Sequence, residues 1–130
     1  MFNHSVSDLV ARIKNGCLAK KVKISSPYSI IRESILKILK DEGYISSYAK
    51  LNTSNGYTLE VNLKYLNYNS VITEIEVVSK PGRRYYCSSK DIPIVKNGLG
   101  VVLVSTHRGL MTDHQARVDN IGGEVLLKIF

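Results

Sequence analysis

Four consecutive apolar residues, Val101–Val104, constrain the fold of this chain more than any other feature of its sequence. An unbroken apolar run of this length is typical of a buried strand. Two hydroxyl residues, Ser105 and Thr106, follow it directly, and His107 and Arg108 come next. We therefore expect a buried strand that carries small hydrogen-bonding groups to a rigid loop.

The composition predicts a globular protein with an anionic partner. The length of 130 residues suits one compact domain or two small ones, and an apolar fraction of 44% is ordinary for a folded chain. The formal net charge of +7 favours nucleic acid over a membrane surface. No apolar run approaches the ~20 residues of a membrane span, and no signal peptide or presequence pattern is present. These features indicate a soluble intracellular protein that has no membrane partner.

Hydrophobic spacing in the first half predicts the order α-β-α-β-β. The first helix is expected over Ser5–Leu18, where Ser5 or Ser7 would cap it and Asp8 would complement its dipole. The second helix is expected over Ser29–Asp41. Its core stripe is expected to be Ile31, Ile35, Ile38 and Leu39. The predicted strands and turn are residues 22–25, residues 44–51, the Asn55-Gly56 turn and the strictly alternating residues 57–65.

The second half is expected to be a mostly antiparallel sheet with short helices. A helix is predicted between Asp91 and Gly98, and another from Thr112, where Thr112 and Gln115 form a capping box. Gly122-Gly123 is expected to end that helix and to let the last strand pack closely. The predicted strands are residues 71–78, 85–87, 99–104 and 124–130. The fold class is therefore α+β, built as two small α/β domains over residues 1–66 and 67–130.

The sequence favours neither catalysis nor a metal or other cofactor. Ser105, His107 and Asp113 have the residue types of a hydrolase triad, but Ser105 lacks a glycine-flanked elbow and no oxyanion hole is indicated. Asp113 is explained more simply as a residue of the first helical turn. The histidines are scattered, and the two cysteines match no zinc pattern and are expected to be reduced. No glycine fingerprint for a dinucleotide is present.

Two groups of basic residues are more concentrated than solvated surface charges ordinarily are. The first lies at the end of the first helix and consists of Arg12, Lys14, Lys20, Lys21 and Lys23. The second is a turn at Arg83 and Arg84, followed by Tyr85 and Tyr86. Arginine pairs with phosphate in a bidentate manner, and tyrosine can stack on a base or a sugar.

Several motifs in the same order resemble the S-eight family of small-subunit ribosomal proteins over essentially the whole chain. Gly100 begins the most specific of them, which continues through residues 103–106 and 109–111 to Ala116-Arg117. The other motifs are Asp8-Leu9 with residues 12–15, residues 40–45, residues 78–82 and Gly122-Gly123-Glu124.

The resemblance implies two α/β domains and direct binding to a helical region of small-subunit ribosomal RNA, in support of subunit assembly and translation. It places RNA contacts mainly in the C-terminal domain, and the adjacent basic residues extend that set. The expected C-terminal contacts are Ser105, Thr106, His107, Tyr86, Glu124, Arg84 and Arg108. In the first helix, Arg12, Lys14 and Asn15 are expected to contact a neighbouring RNA segment through phosphates. The A-form minor groove exposes 2′-hydroxyls to small hydroxyl side chains, which makes this assignment physically reasonable.

Two departures from the family pattern bear on affinity. His107 replaces a common serine, and Cys87-Ser88-Ser89 replaces a usually basic stretch, which predicts fewer phosphate contacts and a weaker salt dependence. Neighbouring small-subunit proteins are further expected partners, in a bacterial cytoplasmic or an organellar ribosome. The alternative hypothesis is a free regulator that binds messenger RNA, including its own, by mimicry of the ribosomal site.

Overall fold

The computed structural model describes residues 2–54 and 56–130, and the chain divides into two compact units. The N-terminal unit comprises residues 4–72, and the C-terminal unit comprises residues 73–130. The sequence-based boundary between residues 66 and 67 stays a prediction. No helix among the described residues is long and apolar enough to cross a membrane.

The N-terminal unit is a three-stranded antiparallel sheet with two helices. In chain order its elements are α1 (Phe2–Leu18), β1 (Lys23–Pro27), α2 (Ile30–Asp41), β2 (Ile45–Thr53), β3 (Gly56–Leu63) and the short hairpin of β4 (Tyr65–Leu66) and β5 (Asn69–Ser70). The strand order is β1-β3-β2, so the last long strand lies in the centre. Leu59, Val61 and Leu63 are buried, which confirms the alternation predicted for this strand. The predicted α-β-α-β-β order is confirmed.

Two details of the helices differ from the sequence-based expectation. Helix α1 already begins at Phe2, so Ser5 and Ser7 do not cap it and Asp8 is not in its first turn. The core stripe of α2 is also different, because Ile31 and Ile38 are only partly buried. Its buried residues are Arg32, Ile35, Leu36 and Leu39. The predicted Asn55-Gly56 turn includes Asn55, which lies outside the described residues.

A charged side chain, that of Arg32, can occupy the core stripe of α2 because it is paired with Asp8 of α1. Asp8 Oδ2 accepts hydrogen bonds from Arg32 Nη1 at 2.6 Å and from Arg12 Nε at 2.8 Å. Arg32 also donates to the hydroxyl of Ser26, which is buried. A buried guanidinium is tolerated only when its charge and its donors are satisfied in this way. The dipole role predicted for Asp8 is therefore wrong, since its carboxylate holds α1, α2 and β1 together.

The ion pair makes the stability of the N-terminal unit depend on pH. Hydrogen bonds from Arg32, and then from Arg12, hold the pKa of Asp8 below its ordinary value of 3.8. The unfolded chain lacks these partners and binds the proton at higher pH. The stabilising contribution is therefore fully present above the ordinary pKa, and it is lost as the pH falls through the lowered pKa.

Replacing Asp8 by asparagine is expected to lower the free energy of unfolding by about 2 kcal/mol at neutral pH, because Arg32 loses its carboxylate partner. In urea denaturation at pH 7 and near pH 3, the difference between the wild type and Asp8→Asn should shrink at the lower pH. Asp41→Asn is the matched control, since Asp41 is exposed and forms no ion pair among the described residues. An equal deficit for Asp8→Asn at both pH values would contradict the assigned ion pair.

The C-terminal unit is a five-stranded antiparallel sheet with one short α-helix. Its elements are β6 (Ile75–Val77), β7 (Tyr86–Cys87), two 3-10 turns (Ser89–Asp91 and Lys96–Gly98), β8 (Val101–Thr106), β9 (Gly109–Thr112), α3 (Asp113–Val118) and β10 (Gly123–Ile129). The order is β6-β10-β8-β9, and β7 pairs with the first part of β10. Val102, Val104 and Val125 pack with Ala116 of α3 and with Ile92. The predicted α+β class is confirmed.

Three local predictions for the second half are wrong. Residues 91–98 form no α-helix but two separate 3-10 turns. Helix α3 ends at Val118 rather than at the glycine pair, because Asn120 adopts a positive φ of 55° there. The strand predicted over residues 71–78 is limited to Ile75–Val77. A strand that was not predicted, β9, follows Arg108 and pairs with β8 in a hairpin. The N-cap of α3 is as expected, with Thr112 Oγ1 accepting from Gln115 N at 3.2 Å, but the predicted capping box is incomplete because the Gln115 side chain donates to Asp119 Oδ1 instead.

Candidate nucleic-acid interface

Three of the predicted site residues lie side by side across the C-terminal sheet. In the strand register, Glu124 of β10 is opposite Ser105 of β8 on one side and opposite Tyr86 of β7 on the other. Residues directly opposite one another in paired strands share a face of the sheet. The structure therefore brings Tyr86, Glu124 and Ser105 together in one row, which we call the polar row.

The hydroxyl groups of Ser105 and Thr106 differ in whether they form hydrogen bonds within the protein. Thr106 Oγ1 donates to Gly109 O at 2.8 Å and accepts from Arg108 N at 3.1 Å, which closes the hairpin around its two-residue loop. No hydrogen bond among the described residues uses Ser105 Oγ, and Ser105 is partly exposed. Thr106 therefore shapes the loop, whereas Ser105 offers a free donor and acceptor. His107 and Arg108 are exposed at the tip of the hairpin.

The glycine pair before Glu124 allows the backbone of β10 to approach its neighbours. A Cβ at Gly123 would overlap the carbonyl oxygen of Ser105 and lie 3.3 Å from Cα of Thr106. A Cβ at Gly122 would overlap the carbonyl oxygen of Cys87 on the other side. The expected close packing of the last strand is therefore confirmed, and it occurs at the polar row.

Glu124 places a buried carboxylate in the middle of the row. Its side chain is 9% exposed, and Arg84 Nη1 lies 3.5 Å from Oε2, which is an ion-pair distance. Oε2 is buried and accepts no hydrogen bond from any residue that the structure describes. A buried oxygen without a donor is unfavourable, so this atom is suited to accept a hydrogen bond from a bound group. Arg84 is thus partly neutralised by the chain itself.

Tyr86 completes the row with an exposed ring. It is 66% exposed, and its hydroxyl makes no hydrogen bond among the described residues. The residue before Tyr86 is held by a hydrogen bond, since Ser79 Oγ accepts from Tyr85 N at 2.9 Å. Next to it, burial raises the pKa of the Cys87 thiol, and Asp91 raises it further, so this thiol stays protonated at neutral pH.

The structure does not assemble the triad considered from the sequence. Asp113 is buried and accepts from Val102 N at 3.3 Å and from Arg117 Nη1 at 2.9 Å. Arg117 also donates to the carbonyl oxygens of Ile92 and Pro93. The carboxylate of Asp113 is thus committed to holding α3 against β8. Among the described residues, no hydrogen bond joins Ser105 to His107.

The N-terminal unit contains a separate basic cleft of about 440 Å³. Two of the predicted contact residues, Arg12 and Asn15, line it, and Lys14 is exposed on the same helix. Arg12 is not a free cation, because it pairs with Asp8 and donates to Ser25 O at 3.0 Å. The remaining residues of the cleft are Gly16, Lys21, Lys23, Ile24, Ser25 and Glu60.

Lys21 and Lys23 were omitted from the predicted site residues although they line the basic cleft with Arg12. Their charges were visible in the sequence as a cluster just after α1. The sequence could not show that β1 lies beside α1, so that Lys21 and Lys23 line the same cleft as Arg12. Lys23 Nζ lies 3.5 Å from Glu60 Oε1, which is an ion-pair distance. Lys21 forms no ion pair among the described residues.

Comparisons with known proteins give matches over nearly the whole chain. The family described as ribosomal protein S8 matches residues 4–130. A protein of Afipia carboxidovorans named small ribosomal subunit protein uS8 is 51% identical over 126 residues, which are 96% of each chain. Proteins of the same name from Nitrobacter hamburgensis and Rhodopseudomonas palustris are each 50% identical with the same coverage. The chain belongs to the ribosomal protein S8 family.

Proposed function

We propose that this protein is a structural component of the small ribosomal subunit that binds small-subunit ribosomal RNA directly and supports assembly of the subunit. The polar row carries the proposal. It combines an exposed ring at Tyr86 with two groups that have no hydrogen-bond partner within the described part of the chain, the hydroxyl of Ser105 and the buried Oε2 of Glu124. A shallow minor groove supplies 2′-hydroxyl donors and sugar edges that match these groups.

The charges around the row favour an RNA backbone as the partner. Three exposed residues lie near the ends of the strands that carry the polar row, namely Arg84 and the hairpin residues His107 and Arg108. Arginine side chains at such a rim bind phosphates and fix the orientation of the duplex, while the row contacts the groove. Because Glu124 partly neutralises Arg84, we expect a modest salt dependence of binding.

The basic cleft is proposed to hold a second RNA segment through its phosphates. Arg12 is held in place by Asp8 and Ser25, and Asn15 and Lys21 lie on the walls of the same cleft. Lys14 is exposed on the same helix and adds a further cation. A fixed guanidinium loses little freedom on binding phosphate, which suits a positioning contact.

The names of the relatives support the cellular setting of this proposal. They are small ribosomal subunit proteins of bacteria, which supports our proposal of a bacterial cytoplasmic ribosome as the setting, with ribosomal RNA and neighbouring subunit proteins as partners. The role is structural rather than catalytic, in keeping with the commitment of Asp113 to Arg117.

Substitution of the two hydroxyls should separate their roles. In a filter-binding titration with small-subunit ribosomal RNA, Ser105→Ala is expected to weaken binding by about 1 kcal/mol with unchanged stability, because it removes one hydrogen bond to RNA. Thr106→Ala should weaken binding by a similar amount and also lower the melting temperature, since it opens the hairpin. Ser46→Ala is the control, because Ser46 is exposed in the N-terminal unit. Unchanged affinity in both hairpin variants would contradict the proposed role of this loop.

The messenger-binding alternative predicts a different distribution in the cell. A ribosomal component co-sediments with small subunits, whereas a free regulator remains in a pool bound to messenger RNA. Chemical footprinting of small-subunit RNA with and without the protein would show the protected helix directly. Protection of no segment of that RNA would contradict the ribosomal assignment.

A further inference from the structure

The turn of the hairpin formed by β4 and β5 contains a tyrosine in a backbone conformation that is unusual for this residue type. Asn67 and Tyr68 form this two-residue turn, and both have positive φ, at 53° and 68°. Turns of this type favour glycine at such positions, because a bulky side chain is strained there. Tyr68 is nonetheless 89% exposed, and its neighbour Leu66 is 69% exposed. The ring therefore contributes little to the core of the N-terminal unit.

The hairpin is anchored beside exposed lysines. Tyr65, at its start, donates from its hydroxyl to Lys21 O at 2.7 Å, and Val71 N closes its base on Lys64 O at 3.1 Å. Lys20 and Lys21 are exposed and form no ion pair among the described residues. Two residues separate Tyr68 from Tyr65, so their Cα atoms are at most about 11 Å apart along the chain. The exposed ring of Tyr68 therefore belongs to a short hairpin whose first residue contacts Lys21, one of two lysines without an ion pair among the described residues.

Lys21 also lines the basic cleft with Arg12 and Lys23, so the residue that anchors the hairpin through Tyr65 is part of the cleft wall. A positively charged groove next to a projecting aromatic ring is the arrangement that binds single-stranded nucleic acid, where the groove holds phosphates and the ring stacks on a base. We propose that the basic cleft and Tyr68 form a binding site for unpaired RNA, in which the base of one unpaired nucleotide stacks on Tyr68. The site deepens the proposed function, on which it rests, by assigning a ligand class to the N-terminal unit.

The test compares variants of the full chain by fluorescence anisotropy with a labelled, short single-stranded oligouridylate. Tyr68→Gly is expected to bind it about tenfold more weakly, as for the loss of one base–aromatic stack. The slope of affinity against salt should stay unchanged, because no cation is lost. The same variant should keep or raise the melting temperature, since glycine relieves the strained turn. Tyr68→Phe, which keeps the ring, should bind like the wild type.

A second probe separates this inference from the proposed function. A helical fragment of small-subunit ribosomal RNA should bind Tyr68→Gly normally and Ser105→Ala weakly. If Ser105→Ala binds the helical fragment normally, the polar row is wrong while the Tyr68 result still stands. Unchanged affinity of Tyr68→Gly for the oligouridylate would overturn the unpaired-RNA site. Reduced incorporation of that variant into subunits, without any loss of oligouridylate binding, would also overturn it and would assign the hairpin to a protein neighbour.

Discussion

Replacing Gly123 by alanine is expected to destabilise the C-terminal unit by about 3 kcal/mol, the upper range for adding a group where no space exists. The new Cβ would overlap the carbonyl oxygen of Ser105, and backbone cannot move aside as a flexible side chain can. Strand β10 must then separate from β8 where Glu124 and Ser105 are paired. RNA affinity should fall with stability, because the polar row loses its register. Thermal denaturation and filter binding measure the two effects.

Gly98→Ala is the matched control for this substitution. Gly98 has a positive φ of 91°, and among the described residues no atom beyond its two chain neighbours lies within 4 Å of the position of its Cβ. Alanine there should cost about 1 kcal/mol through backbone strain alone and should leave RNA affinity unchanged. If Gly123→Ala loses no more stability than Gly98→Ala, the close approach of β10 to Ser105 is not required. If it loses stability but retains full affinity, the row does not bind RNA.

The long strands of this protein were predictable because their signals are local. Alternation over residues 57–65 and the apolar run at Val101–Val104 each identify a strand from neighbouring side chains alone. Short elements were less predictable. Strand β9 has only four residues, and its partner β8 defines it through pairing rather than through its own pattern. The residues between Asp91 and Gly98 resemble a helix start, but only single 3-10 turns form there.

The components of the candidate site were visible in the sequence, but their arrangement was not. Ser105, Tyr86 and Glu124 are up to 38 positions apart, and only the pairing of β7, β10 and β8 places them in one row. The burial of Arg32 is a similar case, because its partner Asp8 lies on another helix. Such contacts depend on tertiary packing, which no local pattern encodes. The difference in role between Ser105 and Thr106 likewise follows from the hairpin geometry.

Removal of the Asp113 carboxylate should affect stability without affecting RNA binding. Asp113→Ala is expected to cost about 3 kcal/mol, because it leaves the buried amide of Val102 without an acceptor and removes the charge partner of Arg117. Val102 packs toward α3, whereas Ser105 lies on the opposite face of β8, so the polar row should keep its geometry. Urea denaturation and RNA titration below the melting temperature measure the two properties.

Two further variants show whether the loss comes from the buried contacts of Asp113. Asp113→Asn keeps an oxygen acceptor for Val102 and should lose about half as much stability, because only the charge is removed. Asp119→Ala, at the C-cap of the same helix, removes a hydrogen bond with Gln115 at the surface and should change stability by about 0.5 kcal/mol or less. A large loss in Asp119→Ala would show that α3 is sensitive to any substitution. Weaker RNA binding by a fully stable Asp113→Ala would instead place Asp113 in the RNA-binding surface.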